Sequence, residues 1–421
     1  MPVFRLLSFV LCLYSLLFIH KVMKILLVID QFDADNNGTT ISAKRFANVL
    51  RNHGHEVRVI TTGTESDDKY IVREFHMPLF DNIIKQQGMA FAAPNKAKLT
   101  EAIEWADVVH FMMPFALSVA GLKVAETLNV PHTAAFHVQP ENITSSAGMK
   151  NWKLVNKSLY MVARDIFYNH FTHIHCPSQF IANQLKKNGY TAQLHVISNG
   201  VEPDFVYRKK AKTPEFEGKI LIMMIGRLSA EKRQDVIIKA VKRSKYADRI
   251  QLVFAGQGPK HDELEALGRT LKNPPIFRFF SKPELLDMLA MCDLYVHAAD
   301  IEIEAISCIE AFSSGLVPII ANSSRSATPQ FALDKRSLFV PGNATDLAQT
   351  IDYWLDNPDE RERMEHKYSE HGRQFGIEQS VLAIEKMFQM AIDENATLPR
   401  HRSIEEKIQE KFEEIFGKFE I

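Results

Sequence analysis

Lys219-Ile-Leu-Ile-Met-Met-Ile225, followed at once by Gly226-Arg-Leu-Ser-Ala-Glu-Lys232, sets the fold of this chain. A short, nearly unbroken apolar run is the mark of a strand buried on both faces, as in a parallel sheet covered by helices. The glycine and charged residues that follow form a loop at the strand's C-terminal end, and Gln234 to Arg243 then shows helical spacing. Doubly wound sheets hold their ligands at such strand ends. Arg227 offers a bidentate fork, Lys232 a point charge and the helix start partial positive charge, a combination suited to a diphosphate; two solvated basic residues at a helix start are the plainer alternative.

Outward from this loop the same alternation repeats. Towards the C-terminus, strands at Ile250 to Ala255, Phe277 to Phe279, Leu294 to His297 and Val317 to Ala321 alternate with helices at Lys260 to Thr270, Pro283 to Met291 and Cys308 to Ser313. Towards the N-terminus, strands at Lys24 to Asp30, Glu56 to Thr61, Asp107 to Met112, His132 to His137, Thr172 to Cys176 and His195 to Ile197 alternate with helices. Those helices are Ile41 to His53, one ending at Thr100 to Trp105, Ala116 to Leu128, Lys150 to His170 and Ser178 to Asn188. The pattern predicts an α/β protein with two Rossmann-like doubly wound domains, residues 23–205 and 219–376, joined by a charged, turn-rich linker at 206–218. Facing each other, the two sheets would share an inter-domain cleft. Residues 377–395 are expected to form a closing helix, and 396–421 a charged amphipathic tail with a solvated face.

A length of 421 residues suits two domains. With 50 basic and 51 acidic side chains the formal net charge is -1, so no global field favours a polyanion and nucleic acid is not expected as a partner. Cys176, Cys292 and Cys308 stand apart from one another and from any metal-type cluster, while Cys12 falls in an N-terminal apolar run; free thiols in a reducing cytosol and no metal site are expected. That run, Val3 to Ile19 with Arg5 its only charge, reads as a signal anchor, a cleaved signal peptide, or a translated upstream region ahead of a natural start at Met23.

The second motif is Glu302-Ile-Glu-Ala-Ile-Ser-Cys-Ile-Glu310, just beyond the strand Leu294 to His297. Two carboxylates across a loop-to-helix transition can reach two parts of one ligand: Glu310 on the first helical turn suits a ribose diol, and Glu302 in the loop suits sugar hydroxyls. If the helix starts near Ser307, the amides of Ile306, Ser307, Cys308 and Ile309 point towards an anion. Glu304 reads as an exposed acid at the helix start.

Together these motifs resemble the retaining two-domain glycosyltransferases of family 4, over about Met23 to Asn395. That family binds its donor with a Gly-Arg-Leu-x-x-Glu-Lys loop, matched by Gly226 to Lys232, and a Glu-x7-Glu element, matched by Glu302 to Glu310. Phe254-Ala-Gly-Gln-Gly258-Pro is similar to its Gly-x-Gly-Pro turn beside the base. The resemblance implies a GT-B fold, a glycine-containing first loop at Gly38 near the donor, and His137 facing the transferred sugar, with His110 its rival. It also implies a nucleotide-sugar donor (UDP or GDP left open), no cofactor and no metal, and a front-face route in which Arg227 and Lys232 stabilise the leaving diphosphate. Asp33-x-Asp35 is accordingly not a metal-binding pair.

Within the family, Glu302 to Gln330 is most similar to bacterial diacylglycerol glucosyltransferases, which implies a lipid acceptor and a place on the cytoplasmic face of a bacterial membrane, peripheral or anchored through residues 3–19. The common Glu-Gly-Phe-Gly-Leu-Pro is replaced here by Glu302-Ile-Glu-Ala-Ile-Ser, a loop without its glycines. Lys150 to Phe171 mixes basic and aromatic residues, as an interfacial helix or a core helix with a basic edge would. Other readings are a polysaccharide or capsule transferase, a two-domain 2-epimerase and a non-catalytic nucleotide-sugar-binding subunit. A dehydrogenase is disfavoured, because Asn36-Asn-Gly38 stands where Gly-x-Gly-x-x-Gly would follow the first strand.

Overall fold

The computed structural model describes residues 22–33, 38–75, 90–146 and 152–397; the apolar run at 3–19, Asp35 to Asn37, Lys150 and the tail from Ser403 lie outside them. The N-terminal domain runs β1 (Lys24–Gln31), α1 (Gly38–Asn52), β2 (Glu56–Thr62), β3 (Lys69–Ile71), β4 (Glu74–Phe75), β5 (Phe91–Ala92), α2 (Lys96–Trp105), β6 (Val108–Phe111), α3 (Ala116–Thr127), β7 (His132–Ala135), α4 (Pro140–Ser146), α5 (Lys153–Ile166), β8 (His173–Cys176), α6 (Gln179–Lys187) and β9 (Gln193–Val196). Seven of these strands form one parallel sheet in the order β3-β2-β1-β6-β7-β8-β9, and β4 pairs with β5 in an antiparallel ribbon.

The C-terminal domain runs β10 (Ile220–Ile225), α7 (Gln234–Val241), β11 (Ile250–Ala255), α8 (His261–Gly268), β12 (Ile276–Arg278), α9 (Lys282–Met291), β13 (Leu294–His297), α10 (Ile306–Ser313), β14 (Pro318–Ala321), β15 (Leu338–Phe339), α11 (Ala344–Asp356) and α12 (Pro358–Gly372). Its sheet has the order β12-β11-β10-β13-β14-β15 and is parallel throughout. In both sheets the strand order reverses beside the first strand, between β1 and β6 and between β10 and β13, which is where a ligand crevice opens. Ile220 to Met224 are buried, as their apolar run required.

The expected long helix over Lys150 to His170 is shorter. It ends at Ile166 because Phe167 leaves helical geometry, at φ -133° and ψ -61°, and its ring packs against Phe111 and Phe171 at centroid distances of 6.0 and 4.8 Å. Among the described residues no helix is long and apolar enough to cross a membrane. Cys176, Cys292 and Cys308 are free and buried.

The chain does not end in the second domain. A last helix, α13 (Ile377–Thr397), crosses back and buries Ile377, Val381, Ile384, Met387 and Phe388 in the core that also holds Ile25, Leu27 and Ile29 of β1. His53 and His55 reach Glu385 of this helix at 2.6 and 3.1 Å, and His173 reaches Glu394 at 3.0 Å. Outward and return connections run side by side: the Val201 amide donates to Phe375 O at 2.7 Å and the Ile377 amide to Val201 O at 2.9 Å.

Candidate active site

The loop after β10 is fixed by backbone. Gly226 sits at φ +151°, and the amides of Gly226 and Leu228 donate to Ala255 O and Gln257 O, both at 2.9 Å. A Cβ on Gly258 would lie 2.4 Å from Leu228 O, so the Gly256-Gln-Gly258 turn closes directly onto the Arg227 loop, and only a hydrogen atom fits there. Gly258 therefore shapes the loop that carries the cations. Gln234, buried at the start of α7, donates to Arg227 O at 2.9 Å, and Arg227 Nη2 donates to Glu231 Oε1 at 2.7 Å. Burial pushes the Glu231 carboxyl up, but Arg227 and Ser229 outweigh it and hold it below the usual carboxylate range.

The loop after β13 meets this one. The Asp300 amide donates to Glu231 O at 2.8 Å, and Lys232 Nζ donates to Glu302 Oε1. His297, the last residue of β13, lies with Nε2 3.0 Å from the same carboxylate oxygen, and Tyr295 Oη is 3.3 Å from both His297 Nδ1 and Ser307 Oγ. Burial opposes charge on Glu302, yet Lys232 and His297 outweigh it and hold the carboxyl at about 2. Burial keeps His297 neutral by pushing it down, so it serves Glu302 as a hydrogen-bond donor. Lys232 and Glu302 thus meet at the crossover of the C-terminal sheet, with Arg227 on the same loop turned onto Glu231. His297 went unnoticed in the sequence, although it closes the strand five residues before Glu302.

Three expectations at the second motif need correction. Helix α10 begins at Ile306, with Ala305 left-handed at φ +70° as its N-cap, so Glu310 lies in the second turn, not the first. The amides of Cys308 and Ile309 already donate to Ala305 O at 2.9 and 3.3 Å; those of Ile306 and Ser307 have no backbone acceptor among the described residues. Cys308 and Ile309 are therefore packing residues of this helix, with no exposure, and of the four only Ile306 and Ser307 leave their amides at its N-terminal end. Glu304 is not an exposed acid: it is 1% exposed and accepts the Asn199 amide at 3.0 Å.

That last contact joins the two domains. Ser178, after β8, donates to Ile303 O at 2.5 Å, Gln139, after β7, donates to Arg325 O at 3.4 Å, and Arg45 of α1 donates to Glu310 Oε1 at 2.8 Å. The C-terminal strand ends of both sheets therefore face one shared region, as the doubly wound pattern implied.

On the N-terminal side, His137 lies two residues past the end of β7 rather than on the strand. It is buried, its ring centroid is 5.2 Å from that of His175, and neither nitrogen has a hydrogen-bond partner among the described residues. His110 bonds Thr133 Oγ1 at 2.8 Å and stacks on His175 at 6.2 Å. Burial, reinforced by the neighbouring imidazoles, pushes His110 and His137 well down, so both are neutral. Gly38 is the first residue of α1 and has open space around it. Among the described residues no group of three or more His, Cys, Asp or Glu could hold a metal ion.

Residues 36–205 match the family described as Glycosyltransferase Family 4, and 206–371 match Glycosyl transferases group 1, two profiles that meet at the linker between the domains. The chain belongs to the two-domain family 4 glycosyltransferases. Alpha-monoglucosyldiacylglycerol synthase of Streptococcus pneumoniae is 24% identical to the transferase over 320 residues, 71% of each chain. The catalytic domain of cholesterol-alpha-glucosyltransferase from Helicobacter pylori is 51% identical over 37% of the transferase and 98% of that chain, at a TM-score of 0.36. Anabaena HepE in complex with UDP and glucose shares the fold, at a TM-score of 0.67 and 16% identity over 87% of the transferase and 100% of that chain. Sugar transfer from a nucleotide sugar is therefore this protein's activity class.

Proposed function

We propose that the protein is a retaining hexosyltransferase that moves a hexose from a nucleotide sugar, UDP-glucose or UDP-galactose, to a membrane lipid such as diacylglycerol or ceramide. The observation that carries the donor assignment is the pairing of Lys232 with Glu302 where β10 and β13 part, beside Arg227 on the same loop. In the proposed reaction the bond between the sugar C1 and the diphosphate breaks, and Arg227 and Lys232 stabilise the charge that develops on the leaving oxygen. The acceptor hydroxyl attacks C1 from the same face and passes its proton to that oxygen. No metal is required for this charge balance. Glu302, held ionised by Lys232 and His297, accepts hydrogen bonds from sugar hydroxyls, and neutral His137 positions the sugar without acting as a base.

Two observations support a lipid acceptor. One is the similarity to a lipid glucosyltransferase, alpha-monoglucosyldiacylglycerol synthase. The other is α5, whose buried residues are only Asn156 and Tyr160, while Leu154 is 81% exposed, Met161, Val162 and Ile166 are exposed beside it, and Trp152 and Lys157 flank them. Apolar and basic side chains on one exposed helix face suit the headgroup boundary of an anionic bilayer.

The test is a turnover assay with labelled UDP- and GDP-sugars, vesicles containing diacylglycerol, ceramide or sterol, and chelator present. One donor should yield a chelator-resistant glycolipid with the anomeric configuration retained, and Arg227→Ala and Glu302→Ala should each lower kcat by about 10²-fold or more. Label in a soluble glycan instead would overturn the acceptor assignment, and donor binding without turnover would make the protein a binding subunit.

A further inference from the structure

Arg45 of the N-terminal domain pairs with a carboxylate of the Glu-x7-Glu element, and it lies outside the motifs quoted above. It projects from the middle of α1, 265 positions away in sequence from its partner, and donates from Nη2 to Glu310 Oε1 at 2.8 Å. Its other terminal nitrogen donates to Gly200 O at 3.2 Å, in the segment that connects the domains. Glu202 of that segment lies 3.6 Å from the guanidinium, and Lys282 at the start of α9 pairs with Glu202 at 3.0 Å and with Asp204. Arg45, Glu202 and Lys282 are the charges acting on Glu310.

Glu310 needs such a partner. It is buried on α10, and burial pushes its carboxyl up, with Arg45 the main influence holding it down. A neutral carboxyl offers a weaker acceptor to a diol than a carboxylate does. Among the described residues the guanidinium bonds one carboxylate oxygen of Glu310, Oε1.

We propose that Arg45 is a positioning residue for the donor: from across the domain boundary its guanidinium pairs with Glu310 and aims that carboxylate so that it reads the ribose hydroxyls of the nucleotide. This rests on the donor assignment made above. It makes ribose recognition a property of both domains, because the nucleotide would lie against α10 while the charge that tunes its acceptor comes from α1 and the connecting segment.

The experiment is calorimetric binding of UDP, GDP and their 2′-deoxy forms to the full chain, from pH 6 to pH 8.5, for wild type, Arg45→Ala, Arg45→Lys, Arg45→Gln, Glu310→Gln and the double variant. Wild type should prefer the ribose form, and Arg45→Ala should weaken that form about tenfold at pH 7, the worth of one charge-assisted hydrogen bond, while shrinking the ribose to deoxyribose ratio. The loss should deepen as pH falls, since Glu310 without its cation takes up a proton at higher pH. Arg45→Lys should restore part of the affinity and most of the flat pH profile. In the Glu310→Gln background, removal of Arg45 should change the ratio by less than about twofold. An unchanged ratio and pH profile in a folded Arg45→Ala would overturn the role of Arg45 alone, and if that variant does not fold, an unchanged ratio and pH profile in Arg45→Gln, which keeps a donor but no charge, would do so. Failure of wild type to bind either nucleotide would remove the donor assignment, and Arg45's role with it.

Discussion

The two halves of the molecule furnish their facing strand ends with opposite chemistry. In the C-terminal half the side chains are charged and come in pairs: Arg227 with Glu231, Lys232 with Glu302, Arg233 with Asp300. In the N-terminal half, at or just past the ends of β6, β7 and β8, lie His110, His137 and His175, rings packed on one another and kept neutral by burial. One side is arranged to hold charge that is already present, and the other to hold polar groups without charging them. A doubly wound fold dictates neither choice, so the difference belongs to the side chains. It suits a reaction in which a diphosphate departs on one side while sugar and acceptor hydroxyls are held on the other.

Acid–base titration of stability can break this contrast. Burial pushes Glu304 up to about 7 against the hydrogen bonds from Ser198 and Asn199. The folded protein thus keeps this proton up to about pH 7, whereas the unfolded chain loses it near 4.5, so stability falls as pH rises through that window, by about 3 kcal/mol. Glu304→Gln should flatten the decline, read from urea unfolding between pH 5 and pH 8; an unchanged slope would mean the carboxyl is ionised in the folded state. His175 should behave with the reverse sign. Burial pushes it down to about 4, so the unfolded chain takes up a proton below 6.5 that the folded one refuses, and stability falls as pH drops through that window, again by about 3 kcal/mol. His175→Gln, which can still donate to Ile197 O, should remove most of that acid sensitivity. Were both variants to shift the pH profile in the same direction, the division into a charged half and a neutral half would fail.

The smallest effect sharpens the comparison at one residue. Ala305 holds a left-handed conformation at φ +70° where the wider family has glycine, and a side chain there costs about 1 kcal/mol. Ala305→Gly should therefore raise stability by about 0.5 kcal/mol, once the looser unfolded chain is counted, seen as a small rise in Tm. A fall in Tm would show that the alanine methyl's burial outweighs the backbone strain.

How much of this was legible in sequence follows the range of each interaction. The strands β1, β10, β11 and β13 and the Arg227 loop are local patterns, with an apolar run and a turn in the same short window, and they stand where that pattern put them. Helix α12, Pro358–Gly372, was invisible because it buries only Met364, Glu365, Tyr368 and Gly372 and shows no apolar stripe. Glu304 was read as exposed because it falls just before a helix start, where acids are commonly solvated; its partner there is Asn199, 105 positions away. Arg45 and α13's return to the first domain have the same cause, partners that no local window contains. Gly258 was legible as a turn but not as the floor beneath Leu228.

The paired connections at Val201 and Ile377 have a mechanical meaning. Two domains linked by one strand of chain can swivel freely, whereas two strands laced together by the hydrogen bonds of Val201 act like a piano hinge. A Cβ on Gly200 would come within 2.7 Å of the Ile377 backbone, so the lacing is tight as well as double. Such a joint folds about its own line and resists twist, and each opening stroke would return the Arg227 and His137 faces to the same mutual alignment on closing.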